Sequence, residues 1–149
     1  MIFLSIGLMA QNVYYVRADG DDSNTGLDTT TVTAWATWQK AFDVADEGDT
    51  VYFMDRGGVY YLGTDEYVVL DPDNSHGNNG TYSAPICFFN YPGESPILDA
   101  IGHTNITDAT AFDVRNATYI KFRGLIIQNE KEDVIDQWIA SMQFYDNGN

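Results

Sequence analysis

Cysteine is nearly absent from this 149-residue chain: Cys87 stands alone, in the apolar run Ile86-Cys87-Phe88-Phe89. One thiol excludes an internal disulfide and a four-thiolate zinc site. It reads as a buried structural thiol, because a reactive cysteine wants an electropositive, partly open setting and the nearest basic residues in sequence are Arg56 and Arg115. Positive charge is scarce too. Seven Lys+Arg face 22 Asp+Glu, giving a net charge of −15 and a pI of about 4.1. A surface this acidic repels phosphate backbones and anionic head groups, which argues against nucleic acid and membrane surfaces as partners and leaves cations and neutral ligands open. The apolar stretch of the first ten residues, Met1 to Ala10, is too short to span a bilayer.

Apolar and aromatic side chains, in contrast, are plentiful. They make up 44% and 14% of the chain, with 10 Tyr, 8 Phe and 3 Trp, enough to offset the entropy of ordering one domain and to exclude intrinsic disorder. The run of residues 1–10 ends in a small residue just before the polar Gln11-Asn12, as the hydrophobic region and cleavage end of a secretory signal peptide do; no basic segment precedes it. The expectation is an exported protein, secreted or at the cell surface, and the shortage of cysteine points to a bacterial source. A first strand is the competing reading of that run.

Turn chemistry divides the remainder. Val13-Tyr-Tyr-Val-Arg17 reads as a strand, followed by a polar loop in which nearly every residue of 18–26 is a turn former. Thr37 can cap a helix in which Trp38, Ala41, Phe42 and Ala45 share one stripe, predicting a helix over 38–46 closed by Gly48. Short strands are then expected at 50–53, 59–62, 67–70, 86–90, 96–98, 111–114, 119–122, 125–128 and 142–145, with Gly, Asn, Asp or Pro in every gap. Strand–turn–strand units beginning at Ile86 and Tyr119 are similar and lie 33 residues apart (86 to 119), and a third piece begins at Met142. Such repetition is the pattern of stacked solenoid coils.

Residues 13–26, the segment Trp35-Ala-Thr-Trp-Gln-Lys-Ala-Phe-Asp-Val-Ala45 and Gly48-Asp-Thr-Val-Tyr52 together resemble the opening of right-handed parallel β-helix proteins of the pectate-lyase-like superfamily. The likeness is strongest to secreted bacterial polysaccharide lyases of the family-nine and chondroitinase-B type. It implies an all-β fold, a single-stranded right-handed parallel β-helix whose N-terminal end is capped by the short α-helix, with residues 11–149 forming the cap and first coils of a longer, full-length monomeric protein. The chain departs from that pattern at residues 28–34, which lack the usual basic-Pro entry to the helix, and at Met54-Asp-Arg-Gly57, which is inserted. The resemblance further implies action on an acidic, uronate-containing polysaccharide by calcium-assisted β-elimination. In those lyases the calcium-binding acids and the catalytic base lie on middle coils, so the resemblance assigns no catalytic residue within this sequence. A non-catalytic surface or carbohydrate-binding solenoid is the alternative.

Two constellations remain. Asp19, Asp21 and Ser23 alternate as hard oxygen ligands in a calcium loop would, and Asp71, Asp73 and Ser75 do the same; neither fits an EF-hand, because Asn24 and His76 stand where glycine is required. Solvated turns are the competing reading. Arg115, Tyr119, Lys121 and Arg123 gather three of the seven cations and an aromatic ring, a set suited to pair with a uronate and stack on its pyranose. Charge balance with neighbours such as Asp113 and Asp99 is the plainer alternative. His76 and His103 read as exposed loop residues, and three Asn-x-Thr sequons, at Asn79, Asn105 and Asn116, carry no assigned role.

Overall fold

A computed structural model describes residues 11–103 and 111–129. The residues expected to form the export segment, the strand at 142–145, the third repeat and the Asn105 sequon lie outside that range. The described elements, in order, are β1 (Val13–Arg17), α1 (Trp38–Val44), β2 (Thr50–Met54), β3 (Tyr60–Tyr61), β4 (Val68–Leu70), β5 (Ile86–Asn90), β6 (Ile97–Asp99), β7 (Phe112–Val114), β8 (Ile120–Arg123) and β9 (Ile126–Gln128), with one 3-10 turn at Pro72–Asn74. Every expected strand within the described residues is present, and α1 is the helix expected at 38–46.

All strand pairings are parallel and fall into three sheets. β1-β2-β5-β8 form the first, β3-β6-β9 the second and β4-β7 the third. Parallel sheets bury their inner face, so inward positions read as an apolar series: Val16, then Val51 and Phe53, then Ile86 and Phe88, then Ile120 and Phe122. Leu98, Leu70 and Phe112 reach the same core from the other two sheets. Aromatic rings fill its centre. Phe88 stacks on Phe122 at 5.5 Å between centroids, Phe42 meets Phe88 edge-on at 4.7 Å, and Trp38 lies 4.7 Å from Phe53.

The helix exists because its ends are tied. Thr37 accepts a hydrogen bond from the Lys40 amide at 3.1 Å, and the Asp22 carboxylate accepts from the Ala36 and Thr37 amides and from the Thr37 hydroxyl. That anchors a long polar loop to the helix start and turns Trp38, Ala41 and Phe42 into the core. Gly48 does adopt the left-handed backbone, with φ of 87°, but it serves the turn between Asp46 and Asp49, because the helix has already ended at an extended Ala45.

The outer edge of β1 is covered by its own chain. The Tyr15 amide donates to the Gly26 carbonyl and the Arg17 amide to the Trp35 carbonyl, both at 2.8 Å, while the Trp35 amide donates to Tyr15 at 3.0 Å. A Cβ at Gly26 would lie 2.5 Å from the Trp35 ring, so this crossing demands glycine.

Coil corners are held by buried carboxylates. Asp49 accepts from the Asn12 amide and side chain and from the Asp46 amide. Asp71 accepts from Asn74 and Asn116, and Asp99 from Ile101, Gln128 and Asn129. These aspartates are 1–6% exposed, each at the end or start of a strand, and they satisfy polar groups where the backbone turns.

The repeat spacing needs one correction. Ile86 pairs with Ile120, a step of 34, because Tyr119 takes a left-handed backbone with φ of 55° and ends the turn instead of starting the strand. Two burial readings also change. Cys87 is half-buried and faces outward, since its neighbours Ile86 and Phe88 take the inward positions. His103 is buried, with Nδ1 2.8 Å from the Glu66 carbonyl.

Candidate functional site

The outward face of the β1-β2-β5-β8 sheet is where exposed chemistry collects. Strand alternation fixes which residues point away from the core, and parallel register places them in rows. One row runs Tyr15, Tyr52, Phe89, Arg123; a second runs Val13, Thr50, Cys87, Lys121. Tyr15 and Tyr52 lie 6.0 Å apart with nearly parallel rings, and Tyr91, just beyond β5, completes a triangle at 6.2 Å from Tyr15 and 5.9 Å from Tyr52. All three tyrosines are partly exposed. The Arg123 guanidinium sits 4.1 Å from the centre of the Phe89 ring, and that of Arg56 4.8 Å from the Tyr91 ring. Burial, with help from the neighbouring phenols and Asp28, pushes the Tyr15 phenol above its ordinary pKa.

The four residues expected to hold an acidic sugar do not come together as one set. Lys121 and Arg123 stand two residues apart on one face of β8, both exposed. Tyr119 precedes the strand and is 54% exposed, but its left-handed backbone takes it out of the strand's alternation. Arg115 follows β7 in a different sheet and is bound by carboxylates, 2.8 Å from Asp113 and 3.2 Å from the buried Asp71. For Arg115 the charge-balance reading is the one the geometry shows. Asp99, the other expected counter-charge, is met by amides instead.

Sequence reasoning overlooked the tyrosines. The signal was available: in Val13-Tyr-Tyr-Val, Thr50-Val-Tyr-Phe and Ile86-Cys-Phe-Phe the alternate positions, once aligned by coil, put Tyr15, Tyr52 and Phe89 outside.

The Asp19, Asp21 and Ser23 loop is engaged from within. Both oxygens of Asp19 are held by Arg17, at 2.8 and 2.9 Å, and this hydrogen bonding keeps its carboxyl below the usual range. Asp21 accepts from the Ser23 amide at 2.8 Å in an Asx turn, and hydrogen bonding from the Ser23 side chain, with help from that amide, lowers its carboxyl likewise. Among the described residues no group of three or more His, Cys, Asp or Glu side chains could hold a metal ion. Asp19 is thus committed to Arg17 and Asp21 to Ser23.

A cavity of about 650 Å³ opens beside α1, walled by Trp38, Tyr60 and Leu98 and rimmed by Asp43, Asp65 and Glu66. Its acidic rim repels a uronate. Among the described residues no helix is long and apolar enough to cross a membrane.

The family model described as the Pel9A-like right-handed β-helix region matches residues 14–149. The chain belongs to that Pel9A-like family. It is also similar in structure to a solved rhamnogalacturonan lyase, with a TM-score of 0.63 and 21% identity over 78% of this chain. At that identity the likeness is one of fold. The Pel9A-like chain spans only 28% of that neighbour's length. No curated protein matches its sequence. The pectate-lyase-like likeness of the opening residues is thus met by both the family model and the three parallel sheets.

Proposed function

We propose that this chain is the N-terminal part of a secreted polysaccharide lyase that cleaves a uronate-containing polymer by calcium-assisted β-elimination. The observation that carries the reading is the Pel9A-like match over residues 14–149, on a chain whose strands form three parallel sheets around one core. The fold likeness to a rhamnogalacturonan lyase supports a pectic polymer as the first substrate to try. In this reading, calcium neutralises the uronate carboxylate and lowers the cost of removing the neighbouring proton. The calcium ligands and the base are carried by residues other than those described. The part assigned to this chain is to begin the solenoid and present a surface to the polymer. Lys121 and Arg123 supply positive charge there, with Tyr119 close by in sequence.

The test is to mix the full-length protein with pectate or rhamnogalacturonan and follow unsaturated uronate absorbance, with and without calcium. Calcium-dependent product formation is expected. Binding of the polymer without any unsaturated product would overturn the lyase reading in favour of a non-catalytic carbohydrate-binding solenoid, which the exposed cation and tyrosine face would equally serve.

A further inference from the structure

We infer that the free edge of β3, together with the cavity beside α1, is a docking groove for an extended, cationic stretch of polypeptide that pairs with the Tyr61 main chain as an added strand. Alternate side chains of the occupant enter the cavity, and its basic residues meet Asp43, Asp65 and Glu66 at the rim. Neither the polymer nor any chemical step of the proposed lyase enters this inference.

The edge is the first ground. Three strands, β1, β3 and β4, begin the three parallel sheets. β1 is covered by its bonds to Gly26 and Trp35. β4 is covered by one side chain of α1: the Gln39 carboxamide accepts from the Val69 amide at 2.7 Å and donates to the Val69 carbonyl at 3.0 Å, as a neighbouring strand would. β3 has no such cover among the described residues. The Leu62 amide donates to the Asp99 carbonyl of β6, so alternation turns the Tyr61 amide and carbonyl the other way, where neither has a partner among the described residues.

What that edge opens onto is the second ground. Val59, Tyr60, Tyr61 and Leu62 line the cavity of about 650 Å³, together with Trp38 and Gln39 of α1. The volume falls within the range of about 300–1,000 Å³ usual for pockets that hold a ligand. Tyr61 is 66% exposed, so the edge is reachable from solvent. An added strand would therefore combine main-chain bonds with apolar pockets for alternate side chains, the pairing that gives strand addition its affinity and its selectivity.

Charge selects the occupant. Asp43, Asp65 and Glu66 are all exposed at the cavity, and no Lys or Arg is among the residues that line it. In an extended chain successive side chains point to opposite faces, so apolar residues can fill the cavity while the basic residues between them meet the rim. A second copy of this chain would bring the same acidic rim and a charge of −15 against it, and the two would repel.

Titration calorimetry and amide hydrogen exchange on the full-length protein test this, with a capped peptide of alternating lysine and valine as the probe. Saturable binding is expected, with slowed exchange at the Tyr61 amide. Affinity should fall about tenfold in Tyr61→Pro, which removes that one outward donor and leaves the bonds to β6 in place, and about tenfold in Asp65→Asn/Glu66→Gln. A peptide of alternating glutamate and valine should not bind. Matched melting midpoints exclude misfolding of the variants, and exchange at Tyr61 in the wild type decides even if Tyr61→Pro is destabilised. No binding by the wild type, an unprotected Tyr61 amide in the bound state, or equal binding by a folded Tyr61→Pro overturns the proposal. So does a dimer of the free protein that Tyr61→Pro dissociates, since the occupant would then be a second copy.

Discussion

The inner and outer faces of the β1-β2-β5-β8 sheet are made from alternate residues of the same four strands, yet they do opposite work. Inward, Phe53, Phe88 and Phe122 continue a core that also takes in Trp38 and Phe42 from the helix. Outward, Tyr15, Tyr52 and Phe89 form a comparable aromatic row that ends in Arg123 and stays partly open to solvent. An aromatic ladder is therefore not by itself a sign of a core or of a binding face. The cations decide: none stands among the inner residues, and two stand on β8 outside.

Four changes would break or sharpen that contrast. The largest effect is expected from Phe88→Ala, which leaves a cavity touching Phe42, Phe53 and Phe122; urea unfolding should show a loss of about 3–5 kcal/mol. Tyr60→Phe comes next. The buried Tyr60 hydroxyl donates within reach of both the Val16 and Met54 carbonyls, at 2.8 and 2.6 Å, and its removal should cost about 1–2 kcal/mol by the same measurement.

The third concerns pH. Hydrogen bonds from Asn116 and Asn74 hold the Asp71 carboxyl below its ordinary value, and those from Asn129 and Gln128 do the same for Asp99. A carboxyl depressed in the folded state binds fewer protons there than when unfolded. Its contribution is thus fully present above the ordinary aspartate value of about 3.9 and is lost as the pH falls through the lower folded value. Asp71→Asn/Asp99→Asn should flatten the acid limb of a stability-against-pH curve; an unchanged limb would show that the corners are not pH-sensitive.

The smallest effect is expected on the outer face. Lys121→Ala should change the melting midpoint by the equivalent of no more than about 0.5 kcal/mol, as surface substitutions usually do. A larger loss would mean that this face contributes to folding and would erase the contrast.

Much of the fold was legible because its signals are local. Each strand is bracketed by turn formers, and Thr37 with the stripe from Trp38 to Ala45 suffices for the helix. What was not legible depends on partners distant in sequence. The sense of each strand's alternation turns on its first residue, and Tyr119 looks like a strand residue until its left-handed backbone is seen. Cys87 lies in an apolar run, but register turns it outward beside Thr50 and Lys121. Aspartates in turns read as solvated; that Asp49, Asp71 and Asp99 are buried at corners follows only from the amides that other coils bring to them. For the candidate site, Lys121 and Arg123 were visible as a cluster, whereas the tyrosines that complete it come from strands 37 residues apart (15 to 52).

Register-matched positions in this sheet fall at 13, 50, 87 and 121, steps of 37, 37 and 34, while those of the second sheet fall at 60, 98 and 127, steps of 38 and 29. The arcs are thus free in length and the strands fixed in phase. Residues could be inserted into an arc such as 62–67 without moving a single ring of the outer row, whereas one residue added inside β2 would exchange Tyr52 for a core side chain. Length variation in relatives of this chain should therefore fall in the arcs, and a new ligand preference could be introduced strand by strand, one outward position at a time.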